Sequence, residues 1–168
     1  MDTIMFYRGI DTSQMERLEF WWEAPDGSRM LALTFGRQYR INFWIYVYLA
    51  YKFGRQGYPG FDRADGARGF LVRFCDAAHP ELNAFVVNQG SADDAQAALE
   101  GLRALRETLV HLSSTPHLAF FQGFDLENPD PAIPDLVEWL DTQIEDHLHI
   151  STLPRYMEAV RKSLEEQG

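Results

Sequence analysis

Two runs rich in aromatic and aliphatic residues, Leu18–Ala24 and Arg29–Phe35, are separated only by Pro25-Asp26-Gly27-Ser28. Turn chemistry that compact between two strand-like runs dictates a β-hairpin. Period-2 alternation then puts Phe20 and Trp22 on one face and Trp21 and Glu23 on the other, while Leu31 and Leu33 share a face of the return strand. Both faces of such a hairpin are expected to be partly covered.

The remaining elements follow from periodicity and punctuation. Thr3–Tyr7 is a short apolar run that reads as a core strand. A parallel-sheet strand so near residue 1 is the expectation for a larger fold that has lost its beginning. Arg40–Phe53 mixes ring-bearing and β-branched residues, so helix and strand are hard to separate, and helix is the reading adopted, ending at Gly54. Gln56–Gly60 reads as a loop, Asp62–Ala78 as a helix and Asn83–Asn88 as a strand. After Ser91, Asp93 and Asp94 fall in the first turn of the clearest helix. Its apolar face is Ala95, Ala98, Leu99, Leu102, Leu105, Leu109 and Leu112. Thr115-Pro116 breaks that pattern, and His117–Gln122 reads as a buried strand ending at Gly123. A helix over Asp135–Ile144, a strand around Leu148–Ile150 and a last helix capped by Thr152, with Tyr156, Val160 and Leu164 inward, complete the chain. Alternating strands and helices predict an α/β fold over residues 1–168 as one domain, with a partly parallel sheet, flanking helices and an inserted hairpin.

Composition bounds the function. With 25 acidic and 15 basic residues the formal charge is −10, which repels nucleic-acid backbones and anionic membrane surfaces. The apolar stretch Ile41–Tyr51, interrupted by Asn42 and closed by Lys52, is too short to cross about 30 Å of hydrocarbon. A single Cys75 forms no internal disulfide, and Met1–Gly9 lacks a leader pattern, so a reduced cytoplasmic setting is expected.

Several clusters invite chemistry, each beside a plainer reading. Gly123-Phe124-Asp125-Leu126-Glu127 follows a predicted parallel strand, where α/β folds place ligand sites. Gly123 would let a ligand approach the backbone, and Asp125 could accept hydrogen bonds from sugar hydroxyls or from a metal-bound water. Asp125 and Glu127 could form the paired carboxyls that a retaining glycosidase requires. The plainer reading is that Asp125 or Asp130 caps the next helix and that the acids are solvated charges. His147 and His149 alternate on a predicted strand and His111 and His117 flank a loop; packing histidines are the simpler account. Trp21, Trp22, Trp44, Tyr46, Tyr48 and Tyr51 could face a sugar or fill a core. No nucleophile elbow, phosphate loop or activated cysteine is present in the sequence.

Four segments, taken in order, resemble the catalytic domain of glycoside hydrolase family 38, the zinc-dependent α-mannosidase type that includes mannosylglycerate hydrolases. Phe6-Tyr7-Arg8-Gly9-Ile10 is similar to its aromatic-Arg-Gly segment. Phe20–Ser28 followed by Met30-Leu31-Ala32 is similar to its Trp-Glu-x-Pro-Asp-Gly-Ser-x-Val-Leu-Ala hairpin. Thr115–Leu118 leading into Phe121–Asp125 is similar to the strand ending in Gly-x-Asp-His, and Ser151–Tyr156 with Glu158–Arg161 is similar to its closing helix. The resemblance implies a barrel of seven parallel strands, here incomplete.

It also implies Arg8 and Asp125 near the sugar, whereas Gly123 as a binding position and Asp125 and Glu127 as candidate catalytic carboxyls rest on the loop's place at a strand end and on their spacing. The family's early His-x-Asp zinc ligands and its nucleophilic Asp precede the segment with which this chain opens. Leu126 stands where the family has a further zinc-binding His, and a leucine offers no lone pair. The expectation is therefore a domain that has lost zinc, without cofactor, binding carbohydrate as an accessory piece or completed by a second copy or a second chain. The alternatives are an interaction module with no sugar role and an active hydrolase rebuilt around Asp125 and Glu127.

Overall fold

In the computed structural model of the protein, residues 3–6, 15–34, 42–54, 93–123 and 130–167 are described. The chain divides into two compact units, one within 1–40, 106–119 and 151–168 and the other within 41–105 and 120–150.

The first unit is organised by a three-stranded mixed sheet of β1 (Thr3–Phe6), β2 (Glu19–Glu23) and β3 (Arg29–Thr34), in the order β1-β3-β2. The expected hairpin is β2–β3, antiparallel with Trp21 opposite Leu31 and Glu23 opposite Arg29. Its turn is closed by the Gly27 N–H on the Ala24 carbonyl at 2.9 Å and the Ala24 N–H on the Ser28 carbonyl at 2.8 Å. Gly27 takes φ +84°, which a side chain would strain. Asp26 Oδ1 accepts both the Ser28 hydroxyl and N–H, at 2.6 and 2.9 Å, and those bonds hold its carboxyl below the usual range.

β1 joins β3 in parallel, Thr3 opposite Leu31 and Phe6 opposite Thr34, so the opening run is a strand as expected, but not a core strand: none of its residues is buried and Met5 is exposed. β3 is buried on both faces: Leu31 and Leu33 on one side, Ala32 and Thr34 on the other, each 2% exposed or less. Phe6, Phe20 and Trp22 cluster across one face with centroids 5.0–6.3 Å apart. The helix over Leu153–Glu166 belongs to the same unit and buries Met157 and Val160. Thr152 occupies its N-cap position but makes no side-chain cap bond.

Among the described residues of the second unit, the regular elements are helices. Residues 42–53 form one helical rod whose middle, Trp44–Tyr48, winds as a π-helix and continues into α1 (Leu49–Phe53). The wider turn carries Trp44, Ile45, Val47 and Tyr48 all into the core. Gly54 ends the rod with φ +73°, as expected for a glycine there. α2 (Ala95–Val110) is divided between the units after Leu105. Its predicted face is buried at Ala98, Leu99, Leu102, Leu105 and Leu109. Asp93 and Asp94 precede the helix instead of lying in its first turn, and Asp94 Oδ1 caps it through the Ala97 N–H at 2.9 Å. α3 runs Ile133–Asp141, two residues earlier than expected, and α4 is the last helix.

Two expected strands do not form. Residues 117–123 adopt no strand, because their polar groups are committed elsewhere. The Ser113 hydroxyl lies within 2.8–2.9 Å of the Thr115 and His117 carbonyls, and Phe121 bonds to the helical rod through both its N–H and its carbonyl. Residues 147–150 likewise form none, since the Leu148 N–H is taken by the Asp141 carboxylate at 2.6 Å. Parallel pairing among the described residues is therefore confined to β1 and β3. The loop, helix and strand expected over 56–88 lie outside the described residues, as does Ser91.

Candidate functional site

The sequence singled out Arg8, Gly123, Asp125, Leu126 and Glu127, and only Gly123 falls among the described residues. Its φ is +126°, and nothing lies within 4 Å of where a Cβ would sit. Backbone conformation, not crowding, is what calls for glycine there.

The chain on either side of 124–129 is held by the helical rod of 42–53. On the upstream side, the buried Asn42 places Oδ1 2.7 Å from the N–H groups of both Phe43 and Phe121. The Phe121 carbonyl in turn accepts from Phe43 and Trp44, at 3.1 and 3.4 Å. These bonds use the first N–H groups of the helix, which have no partner within it.

On the downstream side, Asp130 accepts from Tyr48 and Lys52, which are four apart and share a helix face. The Tyr48 hydroxyl and the Lys52 ammonium both reach Asp130 Oδ2 at 2.8 Å, while Oδ1 takes the Ala132 N–H at 2.8 Å. Asp130 thus shapes the turn before α3 but does not cap the helix as the plainer reading held, since the N-cap position is Ala132 and carries no side-chain cap bond. Asn42 and Lys52 stand ten positions apart, near opposite ends of the rod.

Lys52 and Asp130 side chains are each 11% exposed, so their charges matter to each other. Burial by itself would lower the ammonium pKa, but the Asp130 hydrogen bond and charge, with Asp93 Oδ1 at 3.6 Å, raise it. Burial would likewise raise the Asp130 pKa, and the bonds from Lys52, Ala132 and Tyr48 hold it below the usual range. Burial and then the Asp93 charge push the Tyr51 phenol up. The ammonium also sits 5.4 Å from the Tyr51 ring centroid and 5.8 Å from that of Tyr48. A lysine so held stays protonated at neutral pH and is a donor, not a nucleophile. The cluster anchors the chain; it does not supply a base.

A second polar cluster lies in the sheet unit. Glu19, 2% exposed, accepts from the Tyr156 hydroxyl through Oε1 and from the Ser114 N–H through Oε2 at 2.9 Å. Ser114 Oγ donates to the Glu19 carbonyl at 2.6 Å. Burial first, and then the Glu19 charge, push the Tyr156 phenol far above its ordinary value. This arrangement ties β2, the turn after α2 and α4 together.

Among the aromatic candidates Tyr46 and Tyr51 are half-buried, and the other four divide. Trp44 and Tyr48 are core residues, 0% and 1% exposed, whereas Trp21 and Trp22 are 40% and 45% exposed. His117 Nε2 bonds Ser163 Oγ at 3.1 Å. His147 and His149 are solvent-facing, not packing residues on a strand. Among the described residues, no group of three or more His, Cys, Asp and Glu converges for a metal. No helix among them is long and apolar enough to cross a membrane.

Asn42, Lys52 and Asp130 were not chosen from the sequence as site residues. The signal for two of them was nevertheless present, since Asn42 interrupts and Lys52 closes an otherwise apolar run. Polar residues in such a run either face water or hold something buried. Comparison with models of protein families, with curated proteins and with solved structures finds no match to this chain.

Proposed function

We propose that this chain is part of an α-mannosidase-type glycoside hydrolase domain, an incomplete seven-stranded (β/α) barrel that binds sugar but does not by itself complete catalysis. The observation that carries the reading is the two-ended anchoring of the chain around 124–129. Four buried or mostly buried side chains, Asn42, Tyr48, Lys52 and Asp130, are spent on holding the approaches to Asp125 and Glu127. That is a large investment in positioning for an ordinary connection, and positioning is what a binding loop requires.

In this reading Arg8, Gly123 and Asp125 contact the sugar, and Asp125 and Glu127 supply the carboxyls. No zinc is held in the family's manner, because Leu126 cannot ligate. The partner in this reading is a second copy or a second chain, in the cytoplasm. Calorimetry with mannose and mannosylglycerate tests it: binding in the millimolar range or tighter is expected, lost in Asp125→Asn. Hydrolysis of an aryl α-mannoside by the chain alone, abolished by Asp125→Asn, would refute the loss of catalysis and favour the rebuilt hydrolase.

One observation supports a second reading, an interaction module. Met5 and Trp21 lie on the same sheet face and are 44% and 40% exposed. Concentration-dependent dimerisation in light scattering, with no heat from either sugar, is the outcome that reading expects.

A further inference from the structure

His147 and His149 stand two apart in the segment after α3, and both are exposed. Their ring centroids are 5.1 Å apart with the planes 28° from parallel. His147 Nδ1 lies 3.0 Å from Asp141 Oδ1, which also accepts the Leu148 N–H at 2.6 Å. The carboxylate can only accept, so a neutral His147 donates from Nδ1 and keeps its lone pair on Nε2. A carboxylate that fixes the tautomer of an imidazole is the usual support behind a metal-binding histidine.

The spacing of the rings fits the same purpose. Two imidazole nitrogens about 2.0–2.1 Å from one tetrahedral ion put their ring centroids roughly 5 Å apart. Packing does not explain the pair, since the His147 side chain is 77% exposed. Nor does charge oppose a cation, because Asp141 is adjacent and the chain carries −10 overall. Imidazole donors select zinc, copper or nickel over calcium or magnesium.

We propose that His147 and His149 form an exposed two-histidine site for a divalent transition-metal ion, with Asp141 as a positioning residue and water completing the coordination. The site is independent of the sugar reading and of the ligands that reading regards as lost.

The test is calorimetric titration of the metal-free full chain with zinc chloride at about pH 7.5, where ordinary imidazoles are neutral. One ion per chain is expected. His147→Ala and His149→Ala should each weaken binding by at least about tenfold, and Asp141→Asn by about 10–100-fold, with unchanged circular dichroism. Substoichiometric copper(II) should broaden the ring resonances of His147 and His149 before those of His111 and His117. Zinc binding that survives intact in the double variant His147→Ala/His149→Ala overturns the site, as does the absence of heat at millimolar zinc. Equal affinity in Asp141→Asn overturns the positioning role. Mannose titration of the double variant keeps the two readings apart, because sugar binding should be unaffected by it.

Discussion

Replacing Gly101 with alanine sets two known effects against each other. Gly101 lies inside α2 and faces the π-helical turn of the rod. A Cβ there would fall inside the envelope of the Tyr46 carbonyl oxygen, 2.8 Å from its carbonyl carbon and 3.5 Å from Val47 Cα. Alanine gains about 1 kcal/mol of helix propensity over glycine. Against this, ordinary contact begins at 3.4 Å, so from the carbon alone the backbones must part by at least about 0.6 Å, and the obstacle is backbone that cannot rotate away. Overpacking of this kind costs about 1–3 kcal/mol, occasionally more. A gap of 0.5–1 Å also forfeits roughly a quarter to a half of each neighbouring contact. Leu102 and Leu105, 1% and 0% exposed, are the residues beside it on α2.

Because the clash is with a backbone carbonyl oxygen as well as its carbon, the packing loss falls at the upper end of the overpacking range, about 3 kcal/mol, and subtracting the propensity gain leaves a net destabilisation of about 2 kcal/mol for Gly101→Ala. For a chain of this size that lowers Tm by roughly 4–8 °C. Thermal and urea melts followed by circular dichroism measure it directly. Because the rod also carries Asn42 and Lys52, the sugar affinity proposed above should fall with stability. An unchanged or higher Tm would refute the close backbone approach, since propensity alone would then have decided the outcome.

Breaking the buried ion pair should be costly in either direction: Lys52→Met and Asp130→Leu are each expected to destabilise by about 3–5 kcal/mol, and the double variant by less than their sum, as a urea double-mutant cycle would show. The depressed Asp130 pKa means the fold gains stability above the unfolded value of about 3.9 and loses it as pH falls through the lower folded value, so the acid limb should flatten in Asp130→Asn. Tyr156→Phe removes a donor from the buried Glu19 carboxylate and should cost about 1.5–3 kcal/mol in chemical denaturation. Gly123→Ala, at φ +126°, should cost about 1–3 kcal/mol through backbone strain although the site has room for the methyl group.

What the order of residues settled was whatever depends on near neighbours. The hairpin at Pro25–Ser28, the face of α2 and the end of the rod at Gly54 each follow from turn chemistry or periodicity within a few residues. The strands expected at His117–Gln122 and Leu148–Ile150 failed for a different reason. Apolar alternation records which side chains want burial, but a strand needs backbone partners, and here those N–H and carbonyl groups are claimed by Ser113, Asn42 and Asp141. The candidate site shows the same division. Gly123 was visible as a glycine at the end of an apolar run. That Asn42 and Lys52, 79 and 78 positions away from their respective partners Phe121 and Asp130, would secure the chain on either side of it was not. Residue type and spacing set local conformation, because those energies act over one turn or one strand; only the packed chain decides which distant donor meets which buried acceptor.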